Sequence, residues 1–104
     1  MPGINLFTPK AAGTVSITSA VGTQNVDLGV AGGGSRQIRV KNIDATNLVY
    51  INFGNSTVTA SLATGIPIGA GETAGFTIGD DVTHVAAICS AGTPVIYFTP
   101  GYGV

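Results

Sequence analysis

The stretch GIPIGAGETAGFTI, from Gly65 to Ile78, decides the fold class. A short apolar run at 66–68 meets the glycine-flanked turn GAGE, and a second alternating run follows at 76–78. Alternation with a period of two residues, interrupted by glycine, predicts two β-strands joined by a tight turn. The turn carries Glu72, the only glutamate in the chain. Its carboxylate either works in a functional site or is a soluble cap that keeps the tip of a structural hairpin hydrated and opposes edge pairing.

Glycine, with 16 residues, divides the rest of the chain in the same way. Short strands between regular turn signals are typical of small all-β sandwiches and barrels. We therefore predict an antiparallel β-sandwich of about eight short strands, jelly-roll or immunoglobulin-like, with one short helical turn at Ala60–Ala63. The predicted strands are Thr14–Ser19, Gln24–Val30, Arg36–Ile43, Leu48–Phe53, Ser56–Ala60, Ala74–Ile78, Val82–Cys89 and Pro94–Thr99.

A length of 104 residues predicts a single domain. Residues 14–104 are predicted to form the sandwich, and 1–13 an extended N-terminal arm, because its prolines lack the N–H that a central strand needs. In this arm Leu6 and Phe7 are expected to dock on a neighbouring subunit, the alternative being a frayed end. The N-terminal residues do not have the pattern of a signal peptide, and no apolar run reaches the roughly 20 residues of a membrane span.

The surface is expected to be weakly charged, because charged residues make up 9% of the chain against roughly 25% in an average soluble domain. The alternation in Arg36–Ile43 places Ile38 and Val40 inward, and Gln37, Arg39 and Lys41 outward. In contrast, Leu48–Phe53, Val82–Cys89 and Val95–Phe98 are apolar on both faces. We expect another subunit to cover the second face of those strands, and hence a homo-oligomer.

The residues offer little catalytic or metal-binding chemistry. The single histidine, His84, and the single cysteine, Cys89, fall on opposite faces of one predicted strand, which disfavours a Cys–His dyad. They are also too few for a zinc site, and no Asp-rich loop suits calcium. Neither charge sign forms a run, so nucleic-acid binding is not expected. We predict no enzyme activity, no metal and no cofactor, and a structural role for Glu72.

Several segments carry a resemblance to a known class of proteins. The runs RVKN at 39–42, VYINFG at 49–54, IPIGAGE at 66–72, THVAAI at 83–88 and PVIYFTPG at 94–101 resemble small β-sandwich structural proteins of tailed bacteriophages, of the capsid decoration or cement type. The resemblance implies an oligomeric virion component attached to a capsid or tail. It implies no active-site residues.

The predicted function is that of a capsid decoration protein, which forms a homotrimer or homodimer, binds the phage major capsid protein and stabilises the head by bridging capsomers. It would be located in the virion, after assembly in the host cytoplasm, without membrane or nucleic-acid partners. One alternative is a tail or head-fibre subunit, and another is a receptor- or glycan-binding module. The predicted interface residues are Leu6, Phe7, Arg36, Arg39, Lys41, Tyr50, Glu72, His84 and Tyr102.

Overall fold

The computed structural model describes residues 8–9, 13–29, 36–79 and 81–102, and all the structural statements concern these residues. They form β-strands joined by turns and loops, with no α-helix in the described ranges. The strands are β1 (Thr8–Pro9), β2 (Val15–Thr18), β3 (Gln24–Asp27), β4 (Arg36–Asn42), β5 (Val49–Gly54), β6 (Ile66–Ile68), β7 (Thr73–Ile78), β8 (His84–Ile88) and β9 (Val95–Tyr102).

The strands form two antiparallel sheets. In sheet A, β1 and β2 both pair with β9, which is followed by β4 and then β7; sheet B has the order β3-β8-β5-β6. The pairs β2 with β9, β3 with β8, β4 with β7 and β5 with β6 are nested, as in one long hairpin rolled over two sheets. This is the jelly-roll arrangement. The prediction of an all-β sandwich is confirmed, and the strand order selects the jelly roll from the two topologies left open.

The core lies between the two sheets, and alternation along each strand fills it. On β4, Ile38 and Val40 are fully buried while Arg39 and Lys41 are exposed, as the sequence predicts. Burial of each such side chain stabilises the fold by about 1.5–3 kcal/mol. The buried cluster consists of Ile17, Leu28, Ile38, Val40, Val49, Ile51, Ile68, Ile78, Val85, Ala87, Ile96 and Phe98.

One predicted strand is wrong. Residues 56–60 form no strand, and the partner of β5 is instead the short β6, which contains Pro67. The reason lies at Asn55, whose Oδ1 accepts the Thr57 N–H at 2.9 Å and whose carbonyl accepts the Val58 N–H at 3.0 Å. Such turns divert the chain away from the sheet. The diverted segment 55–65, called here the strap, ends in a single turn closed by Gly65 N–H and Ser61 O at 2.8 Å.

The strap crosses the outer face of sheet B and covers its centre at Ala86. Asn25, Ala86 and Asn52 are consecutive neighbours across β3, β8 and β5. The Asn25 amide donates to Ser56 O and Val58 O, both at 3.2 Å, and the Asn52 amide donates to Thr59 O at 3.1 Å. Between the two amides, Ala86 is fully buried although it points away from the core. At Ala86, therefore, the chain itself covers the outer face of β8, where the sequence predicts another subunit.

Candidate interaction surfaces

The predicted interface residues do not gather into one site. Leu6 and Phe7 lie outside the described residues, and so do the side chains of Arg36 and Tyr102, which belong to β4 and β9. The remaining residues divide between the two sheets. Arg39 and Lys41 are exposed on the outer side of sheet A, with Glu72 at the turn beside them, whereas Tyr50 and His84 are half-buried on sheet B.

The Glu72 side chain closes its own turn. Its Oε1 accepts the Gly69 N–H at 2.6 Å, while its own N–H donates to Gly69 O at 3.0 Å. Gly71 has φ +73°, a left-handed conformation that favours glycine at this position of the turn. Lys41 Nζ donates to Gly71 O at 2.7 Å and so ties the turn to the neighbouring strand. In the structure, Glu72 is therefore a residue that orders its own turn.

Tyr50 and His84 contact their own chain. Gly65 of the strap sits so close to Tyr50 that a Cβ at Gly65 would lie 2.8 Å from the Tyr50 Cβ. His84 Nδ1 is 2.8 Å from the Thr83 hydroxyl oxygen. Cys89, by contrast, is fully buried, with its thiol 3.5 Å from Gly92 O. The histidine and the cysteine are therefore in different environments, as their predicted positions on opposite faces of one strand imply.

The described residues include no group of three His, Cys, Asp or Glu side chains that could hold a metal ion. No helix within the described ranges is long and apolar enough to cross a membrane.

The outer face of sheet A carries exposed polar side chains from several strands, and we call it the platform. Residues that lie side by side on adjacent strands form rows across the platform. One row consists of Thr73, Lys41, Tyr97 and Ser16, and the next of Gly75, Arg39 and Thr99. Its described residues include two cations and no carboxylate. The platform consists of Ser16, Thr18, Gln37, Arg39, Lys41, Thr73, Gly75, Thr77, Val95, Tyr97 and Thr99.

Beside the platform, β7 forms an open edge of sheet A. Among the described strands β7 pairs only with β4. The Asn42 N–H donates to Glu72 O at 3.1 Å, so even-numbered residues of β7 face β4, because alternate residues of an antiparallel strand bond to opposite sides. The N–H and C=O groups of Thr73, Gly75 and Thr77 consequently point outward. No proline or charged side chain within β7 protects this edge, although natural edge strands usually carry such protection.

A shallow groove of ≈ 380 Å³ follows β7 along this edge. Gln37 and Arg39 line one side of the groove, and residues 73–77 line the other. At its centre, a Cβ added to Gly75 would meet no atom within 4 Å. The face of β7 is therefore open at Gly75, and no other described strand pairs with the edge itself.

A second exposed feature lies at one end of the sandwich, where Val21, Ile43 and Leu48 are exposed. We call these three residues the apolar end. The connections that carry them are linked by backbone hydrogen bonds from Ser19 N–H to Pro94 O at 2.8 Å and from Ile43 N–H to Val95 O at 3.2 Å. The three residues therefore belong to neighbouring connections at the same end of the sandwich.

The loop at the apolar end is ordered by a capping carboxylate and a buried amide. The backbone N–H groups of Thr46 and Asn47 donate to Asp44 Oδ2 at 3.0 and 2.6 Å, and these bonds hold the pKa of the Asp44 carboxyl below its ordinary value. The fully buried Asn42 amide donates to Asn47 O at 2.9 Å and to Ile68 O at 3.2 Å. These bonds join the loop to β6.

The predicted interface residues include neither those of the β7 edge nor Tyr97, for which the sequence leaves both a core and an interface position open. The alternation Thr73-Ala-Gly75-Phe-Thr77 does show which residues share a face. However, it does not show that β7 ends a sheet, since this depends on the order of the strands. Tyr97 lies among apolar residues and resembles a core residue in sequence, but its side chain is 38% exposed beside Lys41.

No protein-family profile matches the chain, and no curated protein sequence matches it. The fold is similar to that of a chain from Bacillus endospore appendages, which form a family of disulfide-linked pili, with a TM-score of 0.56 and 20% identity over 100% of this chain and 94% of that one. The coat protein of Tobacco streak virus gives a TM-score of 0.47 and 6% identity over 98% and 88% of the two chains. The Drosophila NLP core gives a TM-score of 0.37 and 17% identity over 94% of this chain and 96% of that one. The first likeness shows a shared fold.

Proposed function

We propose that this chain is a structural subunit of a protein assembly, and specifically a decoration protein that binds a phage head and stabilises it by bridging capsomers. The observation that carries the proposal is the difference between the two outer faces. Among the described residues, the strap covers the centre of sheet B, whereas no segment crosses the platform on sheet A, which continues into the β7 edge. A chain with one covered and one open face is suited to lying flat on a larger surface.

The chemistry of the platform supports a protein partner. Hydroxyl groups from Ser16, Thr73 and Thr77 surround an exposed tyrosine and two cations. Tyrosine and arginine are enriched in protein interfaces, and tyrosine supplies a large contact area with few rotatable bonds. Because the described residues of the platform carry a positive charge and no carboxylate, a partner surface that presents carboxylates or carbonyl oxygens would complement it.

Two alternatives use the same surfaces. A tail or head-fibre subunit would bind with the platform to a different part of the virion. A glycan- or receptor-binding module is favoured by one observation, the groove lined by the polar side chains of Gln37, Arg39, Thr73 and Thr77. Our proposal includes no disulfide link between subunits, because Cys89 is the only cysteine and is buried.

The direct test is to add the purified protein to undecorated phage shells and to measure the bound copies and the temperature of shell rupture. We expect saturable binding and a higher rupture temperature. The variant Tyr97→Ser should weaken binding about tenfold or more, as loss of a central interface aromatic does. The matched control is Leu62→Ser, because Leu62 is 46% exposed on the strap, over the opposite sheet.

The alternatives give different results in the same series. Binding to purified tails but not to shells would favour the tail subunit. If the protein bound to a glycan array but to neither shells nor tails, the glycan- or receptor-binding module would be favoured. If the wild type bound shells but Tyr97→Ser and Leu62→Ser weakened binding equally, the platform would not be the docking surface.

A further inference from the structure

We propose that two copies of this chain pair through β7, antiparallel, with a two-fold axis through Gly75. This inference rests on the proposed role in an assembly and names the surface through which the subunits contact each other. It starts from the outward-pointing backbone groups of Thr73, Gly75 and Thr77 on the open edge.

The hydrogen-bonding pattern of the edge is self-complementary. With the axis at Gly75, Thr73 of one copy lies opposite Thr77 of the second, and Gly75 lies opposite Gly75. Every one of these residues directs both its N–H and its C=O to the open side, so each opposed pair exchanges two hydrogen bonds. Shifting one strand by a single residue would oppose outward-pointing groups to inward-pointing ones. Alternation therefore restricts the pairing to registers that keep these residues opposite one another.

The side chains of β7 are also compatible with this axis. On the platform side, the threonines face each other across the new strand pair, a favourable combination in sheets. On the core side, the half-buried Phe76 lies opposite the small Ala74 of the second copy. The Phe76 ring is held in position by Phe53, with ring centroids 5.4 Å apart. Because β7 contains no charged residue, pairing it with itself creates no like-charge contact within the strand.

The other edges are less suitable for this contact. At the opposite edge of sheet A, β2 has only four residues. The edge strand β6 has three residues and contains Pro67, which cannot donate a backbone hydrogen bond. The edge strand β3 has four residues, and its Asn25 already holds the strap. β7, with six residues, is longer than both.

The size of the contact indicates a weak dimer. Six residues of β-strand span roughly 20 Å. The area buried along one strand of this length is small compared with the roughly 800 Å² per partner that a standard interface buries. We therefore expect dissociation in dilute solution and pairing on a particle, where attached neighbours have a high effective concentration. The paired sheets would present two adjacent platforms to that particle.

The axis position can be tested with single cysteines. In a hydrogen-bonded antiparallel pair the opposed Cα atoms are about 5.5 Å apart, which a disulfide can span. Only a two-fold axis at Gly75 brings position 75 directly opposite its own copy. Under mild oxidation Gly75→Cys should therefore give a covalent dimer, with yield rising with protein concentration. The wild type is the blank, since Cys89 is buried.

Thr18→Cys is the matched control, because Thr18 is exposed on β2, at the opposite edge of the same sheet. It should give no dimer alone. A mixture of Gly75→Cys and Thr18→Cys should give no mixed dimer. The absence of a Gly75→Cys dimer would overturn the proposal. A mixed dimer would also overturn it, because it would show that the β7 edge of one copy pairs with the β2 edge of the next.

A second pair of variants tests the hydrogen bonds without a crosslink. Gly75→Pro removes an N–H that the monomer does not use, whereas Gly75→Ala keeps it. In sedimentation equilibrium, Gly75→Pro should weaken dimerisation about 10- to 100-fold through the loss of two backbone hydrogen bonds, and Gly75→Ala less than about threefold. Circular dichroism should show the same β-structure in both. Equal dimerisation by the two folded variants would refute the edge pairing.

Failure of this inference is distinguishable from failure of the proposed function. If wild type and Gly75→Pro bind shells with the same copy number and affinity, the decoration role stands and pairing through β7 is wrong. If the wild type dimerises through position 75 but binds no shell, the pairing stands and the decoration role is wrong.

Discussion

The substitution Gly65→Ala tests the packing of the strap on sheet B. An added Cβ would lie 2.7 Å from Ser61 O and 2.8 Å from the Tyr50 Cβ, whereas ordinary contacts begin near 3.4 Å. The alanine would therefore be about 0.6–0.7 Å too close to two atoms. One atom is a backbone carbonyl and the other a Cβ, so neither can move away by a side-chain rotation. The strap itself must lift.

The cost of this movement can be bounded in two ways. Overpacking a closely packed site costs about 1–3 kcal/mol. If the strap detaches, it loses the amide bonds from Asn25 and Asn52 to Ser56, Val58 and Thr59, each worth about 1 kcal/mol net. The overpacking range and the sum of the three lost bonds overlap in their upper part, so we expect the free energy of unfolding to fall by about 2–3 kcal/mol. For a domain of this size this lowers Tm by roughly 8–24 °C.

The measurement is thermal and urea-induced unfolding, accompanied by hydrogen exchange of the strap amides. The Ala60 N–H, which donates to Thr23 Oγ1 at 2.8 Å, should lose protection first. Gly22→Ala is the control, because a Cβ at Gly22 meets nothing within 4 Å. If Gly65→Ala and Gly22→Ala differed by less than about 0.5 kcal/mol, a typical value for a neutral surface change, the strap would not be packed as described.

Three further predictions concern other features of the fold. Because the pKa of Asp44 is lowered in the folded state, its stabilising effect should be complete above the ordinary value of 3.8 and disappear as the pH falls through the folded pKa; the Tm difference between wild type and Asp44→Ala should thus vanish on acidification. Glu72→Gln keeps an oxygen that accepts the Gly69 N–H, so it should unfold at nearly the wild-type urea concentration, whereas Glu72→Ala should lose about 1 kcal/mol. Cys89 should react with a thiol reagent only after denaturation, and reducing agents should leave assembled particles intact; rapid labelling of the native protein would contradict the burial of this thiol.

The sequence predicts those parts of the fold that depend on local alternation. The faces of β4 follow from Arg36–Asn42, and the turn at Glu72 follows from its flanking glycines. The strap could not be predicted in this way, because residues 56–60 contain β-forming residues, and only the bonds from Asn25 and Asn52 show that they cross a sheet instead of joining it. Both faces of β8 are apolar, which is correct, but the covering segment belongs to the same chain.

The same limit applies to the interaction surface. An alternating strand has the same sequence pattern at the centre of a sheet and at its edge, so the role of Gly75 depends on contacts distant in sequence. Once strand order is known, the contrast between β6 and β7 becomes informative. Pro67 blocks pairing at one edge, whereas β7 carries no protecting residue. A monomer would gain from a charged side chain on β7, because an open edge promotes aggregation. The combination of a self-complementary edge and an adjacent open platform therefore favours a chain that functions with its own copies on a shared surface.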